Sequence, residues 1–191
     1  ELEQDYFFKK NSVMQSRYLW AFSASFTQLK DPQLKAAAKH SYNFIKNNFW
    51  DKDFGGVYWS VTHDGEINDS VKHLYAQSFA IYGLSEYYSA LQEEEALEYA
   101  ISLFNLIEAH CFNENAHGYY EEFTSDWKEK NYSQIGSHIN NVYFTTNTHL
   151  HLMEAYTNLY KVWPNTKLKN RIEFLHQIFI KFIYHSDGYF Q

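Results

Sequence analysis

An internal repeat constrains the fold of this chain more than any other feature of its sequence. A segment made of an aromatic residue, a polar turn, glycine and further aromatic residues occurs three times. Its copies are residues 50–59, 112–121 and, in shortened form, 184–190. Gly56 and Gly118 are related by an offset of 62, and the same offset relates Gly65 to Trp127, which close the first two copies. Such segments are typical of short β-hairpins between helices.

The segments between these hairpins are predicted to be pairs of helices. The end of one helix type, at 26–29, recurs at 88–91 and 156–159, so the first offset is again 62 and the second is 68. A second helix type is predicted to begin at Asp31-Pro32, because a capping side chain there precedes a proline at the first helical position. Its counterparts are predicted at 96–109 and 166–182, and the extra residues of the third unit form a longer loop at 128–141. The predicted units are approximately 12–65, 70–127 and 142–191.

The repeat predicts an all-α fold. Residues 75–91 are apolar nearly all round, which indicates an inner helix that is buried on both sides. Pairs of helices cannot bury both faces alone, so such units stack as a superhelix or close into a ring. A ring of six pairs would need about twice this length. We therefore predict a single domain over 1–191 that forms about half of an (α/α)6 barrel with short β-hairpin connections.

Composition narrows the classes of function. Aromatic residues make up 20% of the chain, a surplus that suits stacking on sugar rings, although a thick aromatic core between helical layers accounts for most of it. The net charge of −7, with scattered basic residues, argues against nucleic-acid binding. No apolar run approaches the roughly 20 residues that span a bilayer. The single cysteine, Cys111, excludes an intramolecular disulfide and fits a cytoplasmic location.

The repeat register allows equivalent positions on the inner helices to be compared. It places three sets of residues on successive turns of one face: Val13, Tyr75 and Tyr143; then Arg17, Phe79 and Asn147; then Ala21, Gly83 and His151. Arg17 precedes the apolar residues 18–20, so we expect its guanidinium to need an anionic or hydroxylated partner. That partner is either a ligand or a carboxylate such as Glu86 or Glu154.

The histidines and carboxylates leave other chemistries to consider. His149 and His151 are two residues apart on a helix, so only one can face a cavity, and the register favours His151 over the common role of a hydrogen-bonded core histidine. The sequence has no His-x-x-x-His pair, so no metal site is expected. Four carboxylates in or beside the hairpins are either solvated turns or candidates for two-carboxylate hydrolysis. They are Asp64, Glu121, Glu122 and Asp126.

Four segments, in order and along essentially the whole chain, resemble the cellobiose 2-epimerase and N-acylglucosamine 2-epimerase family. They are residues 16–23, 55–59, 72–82 and 147–156. The resemblance implies an (α/α)6 barrel that epimerises a reducing-end sugar at C2, or interconverts aldoses and ketoses, without a cofactor or metal in the chemistry. It further implies proton abstraction beside the open-chain carbonyl, an enediolate, and reprotonation by histidines.

The resemblance also implies roles for individual residues. Arg17 and His151 are the expected catalytic residues: Arg17 stabilises developing charge on substrate oxygens, and His151 positions hydroxyls or assists ring opening. The expected substrate-binding residues are Trp20, Tyr75, Phe79 and Asn147. The family's principal acid/base histidines are expected beyond Gln191, and a helix that precedes Arg17 in relatives is not seen. The chain is thus expected to be a fragment that is inactive alone.

The leading hypothesis is a C2 epimerase of a cellobiose-like disaccharide, with an N-acylglucosamine 2-epimerase or an aldose–ketose isomerase as alternatives. Two other classes remain open: a glycoside hydrolase or lyase on the same barrel, and a non-catalytic helical repeat that binds glycans or proteins. The expected partner is a small sugar, with no nucleic acid and no membrane, and a homodimer is left open.

Overall fold

The computed structural model describes residues 8–115, 117–128 and 145–188, and these residues are mostly helical. The α-helices of the described residues are α1 (Ser12–Leu29), α2 (Pro32–Phe44), α3 (Leu74–Leu91), α4 (Glu94–His110), α5 (Thr146–Val162) and α6 (Thr166–Ile178). A π-helical turn extends α2 over Ile45–Phe49 and α6 over Phe179–Ile183. Apart from Lys128, the predicted loop at 128–141 lies outside the described residues, as do Tyr143 and the end of the third predicted hairpin.

The helix ends follow the local signals in the sequence. The Asp31 side chain accepts a hydrogen bond from the Gln33 backbone N–H, with Pro32 in the first helical turn, so the predicted start of α2 is confirmed. α1 and α3 both end at residues in the left-handed conformation, Lys30 and Gln92, which occupy equivalent positions of the repeat. α5 instead continues to Val162, three residues beyond the predicted end.

Short strands connect the helical pairs. They are β1 (Lys10–Asn11), β2 (Ser60–Val61), β3 (Ile67–Asp69), β4 (Lys72–His73), β5 (Phe112–Asn113), β6 (Gly118–Tyr119) and β7 (Glu122–Phe123). β2 pairs antiparallel with β1 and β3, β4 pairs with β7, and β5 pairs with β6. The predicted hairpin at 112–121 is confirmed by β5–β6. In the first copy the Trp50–Val57 bridge takes its place.

The hairpins repeat in detail. The Thr62 N–H donates to the carbonyl of Glu66, and the Thr124 N–H donates to the carbonyl of Lys128, each over 2.8 Å. Within these turns the position with positive φ is glycine in the first copy and Trp127, at +61°, in the second. A positive φ strains the backbone of any residue other than glycine. The Trp127 side chain is nevertheless buried, and its indole N–H donates a hydrogen bond to the carbonyl of Phe54. The second hairpin is thereby attached to the first.

The inner helices α1, α3 and α5 lie side by side and parallel. Trp20 stacks on Tyr82, its equivalent in the next unit, and the Tyr82 carbonyl accepts a hydrogen bond from Asn158. Gly83 allows α1 and α3 to approach closely, because a Cβ there would lie 2.6 Å from the Ser16 carbonyl oxygen. Most residues of α3 are buried, which confirms the prediction that this helix is covered on both sides.

The second helix of each pair packs on the first: α2 on α1, α4 on α3, and α6 on α5. This arrangement is an arc of three helical hairpins with two concentric layers, so the predicted (α/α) barrel architecture is confirmed. No described helix combines the length and the apolar character needed to cross a membrane.

A buried ion pair ties the first hairpin to the strand that precedes α3. The Lys72 ammonium lies 2.8 Å from the Asp51 carboxylate and 4.3 Å from the centre of the Tyr58 ring. Burial alone would raise the pKa of Asp51, but Lys72 and the backbone N–H groups of Phe54 and Asp53 hold it below its usual value. Burial lowers the pKa of Lys72.

A second buried carboxylate joins the outer helices to the second hairpin. Glu108 on α4 accepts hydrogen bonds from the hydroxyls of Tyr119 and Tyr156, at 2.8 and 2.9 Å, and from Arg171 on α6 at 2.5 Å. The Arg171 guanidinium also lies over the Phe112 ring at 3.6 Å. The charge of Glu108 is therefore compensated within the fold.

Candidate functional site

A cavity of about 530 Å³ lies among the inner helices α1, α3 and α5. Its walls are Met14, Arg17, Tyr18, Trp20 and Ala21 from α1, Tyr75, Phe79 and Tyr82 from α3, and His151 and Glu154 from α5. The walls thus combine aromatic faces with a guanidinium, an imidazole and a carboxylate. Aromatic faces with a few polar groups suit a sugar ring, which has apolar faces and hydroxyls around its edge.

The structure brings five of the six predicted site residues into this cavity: Arg17, Trp20, Tyr75, Phe79 and His151. Asn147 is not among the wall residues and is exposed on the first turn of α5. Asn147 lies one helical turn before His151 on the same face of α5, but its side chain does not line the cavity.

The His151 ring packs against two aromatic residues of α3. Its centre lies 4.6 Å from that of Phe79 and 5.2 Å, edge to face, from that of Tyr75. The register placed His151 one turn beyond Phe79, yet the rings meet because helical side chains lean towards the helix N-terminus. The Nδ1 atom of His151 lies 2.8 Å from a carboxylate oxygen of Glu154.

Arg17 is expected to need an anionic or hydroxylated partner because it precedes an apolar stretch, but the structure does not bury it. The side chain is exposed, and its guanidinium lies 5.9 Å from the centre of the Phe79 ring. Neither suggested carboxylate pairs with it, since Glu154 binds His151 and Glu86 accepts a hydrogen bond from Asn158. Of the two alternatives for the partner of Arg17, the carboxylate is therefore not found in the part of the chain that the structure describes, and a ligand remains. The exposed position spares Arg17 a desolvation penalty.

Trp20 and Tyr82 form an aromatic stack that lines the cavity. Their ring centres are 5.1 Å apart and the ring planes are inclined by 11°. The Trp20 indole N–H is buried without a hydrogen-bond partner among the described residues. Burial, with smaller effects of Glu154 and Glu86, raises the pKa of Tyr82. Sequence reasoning missed Tyr82, although its place as the repeat equivalent of Trp20 was a usable signal.

His149 is a core residue, in contrast to His151. It is buried, its Nε2 accepts a hydrogen bond from the Tyr119 backbone N–H at 3.2 Å, and its Nδ1 lies 2.9 Å from the Thr145 carbonyl. Burial lowers the pKa of His149. The expected division of roles, with one histidine in the core and the other at a cavity, is what these contacts show.

Two of the hairpin carboxylates lie in turns. Asp64 and Asp126 accept hydrogen bonds from the hydroxyls of Thr62 and Thr124. Asp126 also pairs with Lys128 at 2.7 Å, and the Lys128 ammonium together with the Thr124 hydroxyl lowers the pKa of Asp126 to about 2. Asp126 is thus poorly suited to act as a general acid.

The other two hairpin carboxylates are buried, so their interpretation as solvated turns is wrong. Glu122 lies in β7, and Glu121 precedes it. Glu121 accepts hydrogen bonds from the Thr145 backbone N–H and, at 3.0 Å, from the Thr148 hydroxyl, so it holds the start of α5. None of the four hairpin carboxylates lines the cavity.

Known proteins of one family are similar to this chain in sequence and fold. The family model described as N-acylglucosamine 2-epimerase matches residues 5–191. Cellobiose 2-epimerase of Bacteroides fragilis is 40% identical over 178 residues, which cover 93% of this chain and 45% of that protein. The enzyme of the same name from Dictyoglomus turgidum is 40% identical over 186 residues, which cover 97% and 47%. The chain spans about half the length of these curated relatives.

Solved structures agree with the sequence matches. Cellobiose 2-epimerase from Bacillus thermoamylovorans superimposes with a TM-score of 0.94 at 39% identity, over 97% of this chain and 48% of that one. A family 76 glycoside hydrolase of Bacteroides thetaiotaomicron gives a TM-score of 0.74 at 16% identity over 93% of this chain and 46% of that one, a likeness of fold alone. Among curated relatives, D-mannose isomerase of Marinomonas mediterranea is 28% identical over 170 residues, 87% of this chain and 39% of that protein.

Proposed function

Because the chain belongs to the N-acylglucosamine 2-epimerase family, we propose that the protein it forms is a sugar epimerase acting at C2 of a reducing-end sugar. The preferred substrate is a cellobiose-like disaccharide, since several similar relatives are named cellobiose 2-epimerases. The observation that carries the proposal is the cavity in which Arg17, Trp20, Tyr75, Phe79 and His151 meet.

Epimerisation at C2 proceeds by removing the proton next to the carbonyl of the open-chain sugar. The electron pair left on C2 moves towards the carbonyl oxygen and gives an enediolate, and return of a proton to the other face gives the epimer. In this proposal Arg17 donates hydrogen bonds to the oxygens on which negative charge develops. The exposed guanidinium lacks an ion pair within the described residues, so its donors are available for this purpose.

The aromatic walls would hold the sugar. The stacked rings of Trp20 and Tyr82 line the cavity and would contact one sugar ring, and Phe79 contacts both Arg17 and His151. Among the described residues His151 is the imidazole in the cavity. His151 would position substrate hydroxyls or assist ring opening. The acid/base groups that transfer the C2 proton on its two faces are proposed to lie outside the described residues, and Asn147 remains a proposed binding residue near the cavity.

Exchange of the C2 proton tests the proposal directly. A protein that contains this chain would be incubated in deuterated water with cellobiose, glucose and mannose, and the C2 proton signal followed by NMR. We expect loss of the C2 signal of cellobiose together with formation of its C2 epimer, and much slower exchange in His151→Ala. Absence of exchange with every aldose would refute the proposal.

An aldose–ketose isomerase is the second candidate, favoured by the likeness to D-mannose isomerase. The first step would be the same, but the proton would return to C1 and give a ketose. Product analysis separates the two: a ketose as main product supports the isomerase, and an epimeric aldose supports the epimerase.

A cytoplasmic location belongs to the same proposal, and a homodimer is left open. The single cysteine, Cys111, is buried and free, in keeping with a reducing compartment. The proposed chemistry needs no redox cofactor, because the proton that leaves C2 is replaced by another proton.

A further inference from the structure

Three side chains fix the position of the His151 ring. Phe79 covers the ring at 4.6 Å with the planes inclined by 40°, and Tyr75 meets it edge to face at 5.2 Å. Glu154, three residues later on the same helix, binds Nδ1 at 2.8 Å. The contacts with Phe79 and Tyr75 restrict tilting of the imidazole ring. The Glu154 carboxylate determines that Nδ1, and not Nε2, is the nitrogen bound on the α5 side.

The contact with Glu154 also decides where the imidazole proton lies. An ionised carboxylate only accepts hydrogen bonds, so the Nδ1 atom must carry the hydrogen. In neutral His151 the other nitrogen, Nε2, then has a free lone pair. Nε2 has no hydrogen-bond partner among the described residues, and the ring lines the cavity.

We propose, on the premise that the cavity binds sugars for C2 epimerisation, that Glu154 is a positioning residue that holds His151 in its Nδ1–H tautomer. Nε2 of His151 then accepts a hydrogen bond from a hydroxyl of the substrate. A histidine that carried its proton on Nε2 would instead donate to that hydroxyl and hold it in a different orientation. Glu154 thus acts through His151, although its own side chain also borders the cavity.

The preceding repeat provides a matched comparison. Glu86 on α3 is the register equivalent of Glu154, but the position equivalent to His151 is Gly83. Among the described residues Glu86 contacts no histidine, and its carboxylate accepts a hydrogen bond from Asn158 at 3.3 Å. A change at Glu86 removes a carboxylate from an inner helix without touching the His151 tautomer.

The tautomer can be read by NMR without any activity measurement. Long-range ¹H–¹⁵N correlation spectra of the ¹⁵N-labelled protein at alkaline pH distinguish Nδ1–H from Nε2–H histidines, and His151→Gln identifies the His151 signals. We expect the Nδ1–H pattern in the wild type and in Glu86→Ala. Glu154→Ala should convert His151 mainly to Nε2–H, whereas Glu154→Gln should retain Nδ1–H because its amide oxygen still accepts. An Nε2–H pattern in the wild type, or no change in Glu154→Ala, overturns the proposal.

Kinetics then test whether the tautomer matters. Glu154→Ala should lower kcat for C2 exchange at least about tenfold, and Glu154→Gln should recover most of the loss. A shifted tautomer with unchanged kcat would overturn the positioning role. If the wild type exchanges no C2 proton with any aldose, the proposed function fails, while the tautomer measurement still decides the pairing of Glu154 with His151.

Discussion

Arg17 and Arg171, the only arginines of the sequence, should respond to truncation in opposite ways. Arg17 is exposed and makes no ion pair within the described residues, so Arg17→Ala should change the free energy of unfolding by less than about 0.5 kcal/mol. If Arg17 stabilises the enediolate, the same change should reduce kcat for C2 exchange by about 10² to 10³. Urea unfolding and the exchange rate, measured on one preparation, give both quantities.

Arg171→Ala is the control for this prediction. It leaves the buried carboxylate of Glu108 without its cation, so we expect a loss of about 3 kcal/mol of stability with activity per folded molecule preserved. A large stability loss in Arg17→Ala, with normal activity of the folded fraction, would show that Arg17 is structural.

At the residue scale, the sequence indicated which side chains line the cavity, but not which charged groups are buried or which partners they have. The two repeat offsets placed Arg17, Tyr75, Phe79 and His151 on adjoining turns, because parallel inner helices keep equivalent residues at similar heights. The exposure of Arg17 and the burial of Glu121 depend on the depth of each side chain in the assembled layers. Periodicity along one helix does not report that depth.

At the scale of the element, the start of α3 should make the protein sensitive to acid. His73 is the N-cap of α3, its Nδ1 accepts a hydrogen bond from the Tyr75 backbone N–H, and burial lowers the pKa of His73 to about 4. In the unfolded chain its pKa is near 6.5, so below that pH the unfolded state takes up a proton that the folded state does not. The contribution is complete above about pH 6.5 and decreases as the pH falls towards 4.

From these values, proton uptake by His73 in the unfolded state should lower the free energy of unfolding by about 2 kcal/mol between pH 7 and pH 5. Urea unfolding at the two pH values would measure this for the wild type and for His73→Asn, which retains an N-cap acceptor but cannot be protonated in this range. The variant should lose correspondingly less stability on acidification, and an equal loss in both proteins would contradict the assignment. His149 contributes equally to both and cancels in the comparison.

Gly83 offers a second test at this scale, because we expect its replacement by alanine to destabilise the protein, whereas the same change in a helix usually stabilises it. Replacing a helical glycine by alanine normally stabilises a helix by about 1 kcal/mol. Here the new Cβ would lie 2.6 Å from the Ser16 carbonyl oxygen, so α1 and α3 would have to separate. We expect Gly83→Ala to destabilise the protein by about 1 to 3 kcal/mol in thermal or urea unfolding. Ser89→Ala, at an exposed position of α3, should have little effect, and stabilisation by Gly83→Ala would refute the close approach.

The elements themselves were well predicted, because caps, prolines and apolar stretches are local signals. The start of α2 at Asp31-Pro32 and the hairpin at 112–121 follow directly from them. The pairing of β4 with β7 was not predicted, since it joins residues that are distant in the sequence and carry no complementary pattern.

For the whole molecule, the repeat predicted the architecture, and specific contacts between units decide whether it unfolds as one body. The Asp51–Lys72 pair joins the first hairpin to the strand before α3, and the Trp127 indole binds the Phe54 carbonyl of the first hairpin. Gln77 on α3 adds hydrogen bonds to both the N–H and the carbonyl of Val57, each at 2.8 Å. Neighbouring units therefore share buried polar contacts as well as apolar surface, and we expect a single cooperative transition.

Two lysines with similar distances to their carboxylate partners test whether the buried ion pair couples neighbouring units. Lys72 pairs with Asp51 at 2.8 Å in the interior, whereas Lys46 pairs with Glu95 at 2.6 Å where both side chains are more than one third exposed. Lys72→Met leaves a buried carboxylate uncompensated and should remove about 3 to 5 kcal/mol of stability, while Lys46→Met should cost less than about 1 kcal/mol. Circular dichroism and tryptophan fluorescence should give coincident urea transitions in both variants. If Lys72→Met instead separated the two transitions, the first unit would be unfolding independently, and the buried pair would be a link between otherwise autonomous repeats.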